Sequence, residues 1–168
     1  NEVFFEDVRV PARNLVGELN RGWYVGMTLL DFERSNIAGA VAAQRTLNRL
    51  FDQIREDELG SRARVREGPL RHELAERYVE IQVMYQLSFR IISMQNRGLV
   101  PNYEASMAKL FNSELSQRLA LTATQVFGLH ANRFEEGDPA SRASRMYVGM
   151  VPATIRGGTS EVQRNVIA

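Results

Sequence analysis

The sequence contains no cysteine, which excludes disulfides, thiolate metal sites and thiol nucleophiles. Imidazoles are almost as scarce: His72 and His130 are the only histidines, so a metal centre or a Ser-His-Asp hydrolase is poorly supported. No stretch approaches the roughly 20 apolar residues that a membrane span needs. No basic-then-apolar leader opens the chain, and a cytoplasmic protein without a membrane span is expected. Charge of one sign is also missing. The 21 basic and 20 acidic residues are interspersed and leave a formal net charge of +1. No basic stripe can follow a phosphate backbone, and nucleic acid is not an expected partner.

What remains is helical periodicity. At 168 residues the chain can bury one good core but not two large domains. Asn1 opens directly in strand-like sequence and Ala168 closes inside an apolar helical pattern, so a piece of a longer polypeptide is expected.

The segment Val3-Phe4-Phe5-Glu6-Asp7-Val8-Arg9-Val10 is β-branched and aromatic and ends at Pro11; it reads as a strand or extended arm without a partner strand. After turn punctuation at Gly17, Asn20 and Gly22, the residues Trp23, Met27, Leu30, Ile37, Val41, Leu47, Leu50 and Ile54 recur at near-helical spacing. They predict one long helix ending before Gly60. Gly68-Pro69 opens a second, in which Leu70, Leu74, Tyr78, Ile81, Tyr85, Phe89 and Ile92 step by four and three. A third carries Phe111, Leu115, Leu119, Thr122 and Val126 on one stripe and breaks at Gly128. The polar stretch 132–143 reads as a loop, followed by a short helix at 146–150. Ser160-Glu161-Val162-Gln163 has the form of a capping box, so a last helix should start at about Ser160. The expected fold is all-α, an antiparallel four-helix bundle with a short N-terminal β-strand remnant.

Periodicity alone allows an interaction module as readily as an enzyme. Three stretches go further: Asn1-Glu2-Val3-Phe4-Phe5 through Asn20-Arg21-Gly22-Trp23, then Gln125-Val126-Phe127-Gly128, then Gly157-Gly158-Thr159-Ser160-Glu161-Val162-Gln163-Arg164. In order and spacing they resemble the acyl-CoA dehydrogenase family over almost the whole chain, and the closing string is the most specific. The resemblance implies that residues 1–19 are the end of a middle β-domain and its linker, and that 20–168 are the C-terminal helical bundle domain. It also implies FAD as cofactor, an acyl-CoA substrate, an electron-transfer flavoprotein as electron acceptor, and a homo- or heterotetramer. An isolated fragment would be inactive, its FAD site being incomplete.

In that family a carboxylate removes the α-proton of the thioester while hydride leaves the β-carbon for the flavin, giving a trans-2-enoyl-CoA. Many members carry this glutamate immediately before Gly-Thr-Ser, where this chain has Gly157. Members similar to isovaleryl-CoA and long-chain acyl-CoA dehydrogenases carry it in an Asp-x-Glu-Arg string on the first bundle helix, and Asp31-Phe32-Glu33-Arg34 matches that string. The resemblance therefore implies Glu33 as the base and substrate contacts at Tyr24, Asp31, Phe32, Arg34, Gly157 and Gly158. It implies FAD contacts at Gln125, Val126, Phe127, Gly128 and Leu129 and at Thr159, Ser160 and Glu161, with the Gly157 N–H donating to the thioester oxygen.

Plain structural roles stand beside each of these. Glu33 could be a solvated helix carboxylate paired with Arg34, Tyr24 and Phe32 could be core, and the flavin-type motifs could simply end and cap helices. The family's Arg-x-x-Phe-Gly and following Gln are absent from residues 57–70, and Leu129-His130-Ala131 replaces a glycine-rich continuation. Similar departures occur in members acting on bulky substrates such as steroid side-chain CoA thioesters, some of which pair a catalytic subunit with a degenerate one. A non-catalytic partner subunit or assembly module thus remains an alternative, and so does an acyl-CoA oxidase. His130 is left out of the catalytic set as a solvated loop residue.

Overall fold

The structure is a computed structural model. It describes residues 2–33, 36–56 and 59–168, the side chains at 30–33 and 67 lying outside that description. Seven α-helices occur among the described residues. The first two are α1 (Gly22–Glu33) and α2 (Ile37–Glu56), where the apolar spacing predicts a single helix. The interruption ends at Asn36, whose φ of 52° is left-handed and cannot continue a right-handed helix. Its carbonyl accepts the N–H of Gly39 at 3.0 Å and so begins α2. α2 then buries Ala40, Ala43, Leu47 and Leu50, a three-and-four spacing that faces the core.

A short helix that the sequence reading missed, α3 (Ser61–Glu67), follows Gly60. α4 (Leu70–Asn96) starts after Pro69 as expected, but its buried line is rotated from the predicted stripe. Leu70, Leu74, Ile81, Met84 and Ile91 are enclosed together with Arg77 and Ser88, whereas Tyr78 and Phe89 are exposed. Arg77 tolerates burial because Glu76 accepts a hydrogen bond from it at 3.1 Å and Glu80 forms an ion pair with it at 2.8 Å.

α5 (Tyr103–Phe127) is the central helix and packs against α2, α3, α4, α6 (Pro139–Met150) and α7 (Ser160–Ile167). Alanines at 105, 108, 120 and 123 let neighbours approach it closely. α2, α4, α5 and α6 form the bundle. α6 begins earlier than expected, within the stretch read as loop: Asp138 accepts from the Ser141 N–H at 2.8 Å and Pro139 supplies the first turn.

At α7 the cap is Thr159 rather than Ser160. The Thr159 hydroxyl oxygen accepts from the Val162 N–H at 3.3 Å, and Gln163, read as the partner in a capping box, donates instead to the Gly157 carbonyl at 3.1 Å.

The opening segment is an extended, exposed arm, and no strand is formed among the described residues. The strand remnant expected there lacks an edge to pair with, and a strand's N–H and C=O groups need one. Among the described residues no helix is long and apolar enough to cross a membrane.

Candidate functional site

One turn of α5, from Lys109 to Asn112, is where the distant motifs converge. Asn112 lies against the α1–α2 corner, since a Cβ at Gly39 would stand 2.9 Å from Asn112 Oδ1 and 2.5 Å from Asn36 Oδ1. Only glycine at 39 allows that approach. One turn away on the same face, Lys109 Nζ donates to the Gly158 carbonyl. Side chains three apart on a helix are neighbours at about 5–6 Å. The corner that follows Glu33 and the glycine turn therefore rest side by side on α5. Glu33 is the last residue of α1; its side chain and those of Asp31 and Phe32 lie outside the described set, as does Arg34 altogether. Tyr24 is exposed rather than packed in the core, with the Arg21 guanidinium 4.3 Å from its ring centroid.

Gly157 and Gly158 take φ values of 66° and 93°. Beyond them, a cleft of about 440 Å³ opens between α5 and the start of α7. Thr159, Ser160 and Glu161 line it with Glu114, Arg118 and Arg164. Glu161 sits below the usual carboxylate range, held there by its backbone N–H and the Thr159 hydroxyl. A polar thread ties this cleft to the bundle. Glu80 binds Arg118 at 2.7 Å as well as Arg77, and Glu114 binds Arg164 at 2.6 Å and Arg118 at 3.9 Å.

The other motif closes α5. Val126 and Phe127 point into the core, so Gln125, Gly128 and Leu129 are its accessible members. Gln125 and Gly128 line a second cleft of about 390 Å³ with Asn132, Phe134, Tyr147 and Val148. Gly128 adopts φ 57°, ψ −133°, a conformation open to glycine. Arg64, from the unforeseen α3, donates to the Val126 carbonyl at 2.9 Å and to that of Leu59 at 2.8 Å, bracing this turn. Both clefts lie on one stripe of α5, where residues 114, 117, 118, 121, 124, 125 and 128 step by three and four over roughly 20 Å.

The residues have the chemistry a flavin needs at the start of α7. Ser160 is only 6% exposed, its hydroxyl has no hydrogen-bond partner among the described residues, and it lines the first cleft beside helix-start N–H groups. Among the described residues no group of three His, Asp or Glu could hold a metal.

The family model described as acyl-CoA dehydrogenase, C-terminal domain, matches residues 20–168. The chain belongs to the acyl-CoA dehydrogenase family. Acyl-CoA dehydrogenase IpdE1 of Mycobacterium tuberculosis is 30% identical over 171 residues, covering 100% of this chain and 42% of that protein. The long-chain specific mitochondrial acyl-CoA dehydrogenase of Rattus norvegicus is 31% identical over 169 residues, covering 99% of this chain and 38% of the relative. The chain thus spans about two-fifths of the length of such relatives.

Among solved structures, the Tcur3481-Tcur3483 steroid ACAD superposes with a TM-score of 0.80 at 23% identity, over 98% of this chain and 43% of that one, a likeness of fold. The ChsE4-ChsE5 complex from Mycobacterium tuberculosis gives a TM-score of 0.77 at 28% identity, over 98% and 43% of the two chains.

Lys109, Arg64 and Arg118 lie outside the strings that carry the acyl-CoA dehydrogenase resemblance, and Arg164, which closes one of them, has no expected site role. Lys109 did leave a signal, as a lone cation within Ala105-Ser106-Met107-Ala108-Lys109-Leu110-Phe111.

Proposed function

We propose that this chain is the helical part of a FAD-dependent acyl-CoA dehydrogenase subunit that desaturates an acyl-CoA thioester to a trans-2-enoyl-CoA. On this reading residues 1–19 are the end of a preceding β-domain and its linker, and 20–168 are the helical bundle domain. The observation that supports it best is the meeting of the α1–α2 corner and the Gly157–Gly158 turn on the Lys109–Asn112 turn of α5. A base on α1 can reach a substrate lying over the glycines only if those two segments are neighbours. The absence of a side chain at Gly157 leaves that space open.

Glu33 takes the α-proton, and the Gly157 N–H donates to the thioester oxygen as negative charge develops there. Tyr24, Asp31, Phe32, Arg34, Gly157 and Gly158 surround the acyl thioester. Thr159, Ser160 and Glu161 at the first cleft, Gln125 and Gly128 at the second, and the exposed Leu129 beside it would hold FAD, while Val126 and Phe127 support that turn from the core. When bound, the flavin supplies the hydride acceptor. Electrons then pass to an electron-transfer flavoprotein, and the subunit works within a homo- or heterotetramer.

The test uses the assembled flavoprotein. Glu33→Gln should leave flavin bound and reduce turnover by at least about 100-fold, the lower end of the range for a positioned general base. Flavin reduction by an acyl-CoA is followed anaerobically in the visible spectrum. Undiminished reduction would remove Glu33 from the mechanism.

One alternative has an observation behind it. The 28% identical ChsE4-ChsE5 structure is a complex of two different chains, and this chain lacks the family's Arg-x-x-Phe-Gly at 57–70. A non-catalytic partner role predicts that Glu33→Gln keeps full activity because another subunit supplies the base.

A further inference from the structure

The glycine turn raises a physical question. Gly157 and Gly158 both sit at positive φ, and glycine restrains its own peptide planes least of all residues. A donor aimed at developing charge works well only when it is already oriented. Groups outside the turn have to hold it.

Two side chains do. Gln163 Nε2 on α7 donates to the Gly157 carbonyl at 3.1 Å, and Lys109 Nζ on α5 donates to the Gly158 carbonyl. Across a trans peptide the carbonyl and the following N–H point in opposite directions. Drawing these carbonyls toward Gln163 and Lys109 turns the N–H groups of Gly158 and Thr159 the other way. Lys109 also underlies the first glycine, its Cε lying 4.0 Å from where a Cβ at Gly157 would stand. A side chain at Gly158 would push the same clamp aside, because its Cβ would meet Gln163 Nε2 at 2.5 Å. Burial lowers the Lys109 pKa, while Glu114 and Glu161 act to raise it. A cation there costs desolvation, which a space-filling role would not require.

We infer that Lys109 is a positioning residue of the candidate active site: through the Gly158 carbonyl it fixes the Gly158–Thr159 peptide plane and so anchors the end of the glycine turn that follows the Gly157 N–H, and its ammonium places positive charge beside that turn. The inference rests on the proposed reading of Gly157 as the thioester contact. It extends that reading to a residue on another helix.

The experiment compares Lys109→Met, Lys109→Arg and Glu33→Gln in the complete flavoenzyme. It measures anaerobic flavin reduction by acyl-CoA and amide hydrogen exchange in the peptide 155–162. Lys109→Met should slow reduction by about 10-fold or more, part of the effect of deleting an oriented donor outright. It should also accelerate exchange in 155–162 while flavin content holds. Lys109→Arg keeps a cationic donor and should restore both readouts most of the way.

Unchanged reduction and exchange in Lys109→Met would overturn the inference, as would an arginine variant impaired as deeply as the methionine one. If Lys109→Met fails to assemble, the arginine variant decides alone: near-normal rate and exchange support the clamp, and loss of either rejects it. Glu33→Gln separates the two levels. An inactive Glu33→Gln beside an unaffected Lys109→Met rejects the clamp and keeps the dehydrogenase reading, whereas an active Glu33→Gln rejects the reading of the site itself.

Discussion

From α2 to α6 a contiguous set of large aliphatic side chains is enclosed, with Leu47, Ile81, Met84, Ile91 and Leu115 fully buried. From the opening arm through α1 they are open: Phe5 is 81% exposed and Trp23 75%, and Phe4, Val10, Leu19 and Leu29 are exposed with them. The first region is held by its own burial. The second keeps helical and extended shapes without covering its apolar face, and an apolar surface of that extent marks a place of contact. On the proposed reading, that contact is with the β-domain and the acyl chain. Stability thus resides in one region, while much of the candidate substrate surface belongs to the other.

The largest expected effect would break this contrast if it failed. Leu47→Ala removes a fully buried side chain and should cost about 2–5 kcal/mol of unfolding free energy. Phe5→Ser on the exposed arm should stay within about 0.5 kcal/mol. Urea denaturation of this chain measures both. Comparable losses would mean that the arm is packed in solution and that the two regions are one.

A smaller effect is expected at the seam between them. Alanine at Gly39 would gain about 1 kcal/mol of helix propensity, but its Cβ would press on Asn36 Oδ1 at 2.5 Å and Asn112 Oδ1 at 2.9 Å. Overpacking of that kind costs about 1–3 kcal/mol, leaving a net loss of up to about 2 kcal/mol. Adding Asn112→Ala should recover part of it, a non-additivity expected of touching side chains. Strict additivity would show that the corner does not rest on α5.

The same contrast explains what could be read from sequence. Gly68-Pro69, Pro101 and Gly128 bound α4 and α5 through backbone chemistry local to those residues, and the expected helices formed there. The α1–α2 break was hidden because apolar spacing ran through it, and only the left-handed Asn36 betrays it. Arg77 displaced Tyr78 from the buried face of α4 because Glu76 and Glu80 neutralise it, a pairing that periodicity cannot weigh. The Asp138-Pro139 start of α6 was present in the sequence but masked by its polar surroundings. At the site, the motif residues were legible as strings. Lys109 and Arg64 act on backbone carbonyls far away in sequence, and no string contains them together with their partners.

The smallest effect sharpens the picture of the self-held region by asking how it responds to acid. The Asp138 carboxylate accepts from the Ser141 hydroxyl at 2.6 Å and from its N–H at 2.8 Å. These bonds, the hydroxyl first, hold its pKa below the usual aspartate range. A carboxyl whose folded pKa is depressed contributes stability that is fully present above its unfolded pKa and lost as pH falls through the folded value. Asparagine caps a helix about as well as aspartate but does not titrate in this range. Asp138→Asn should therefore match the parent in melting temperature at low pH, with Asp138 protonated, and fall slightly below it at neutral pH. Melting curves across the acid range decide the matter. A parent and variant that run parallel at every pH would mean that α6 is held by the packing of Ala140 and Ala143 alone, with the carboxylate contributing nothing specific to its ionised form.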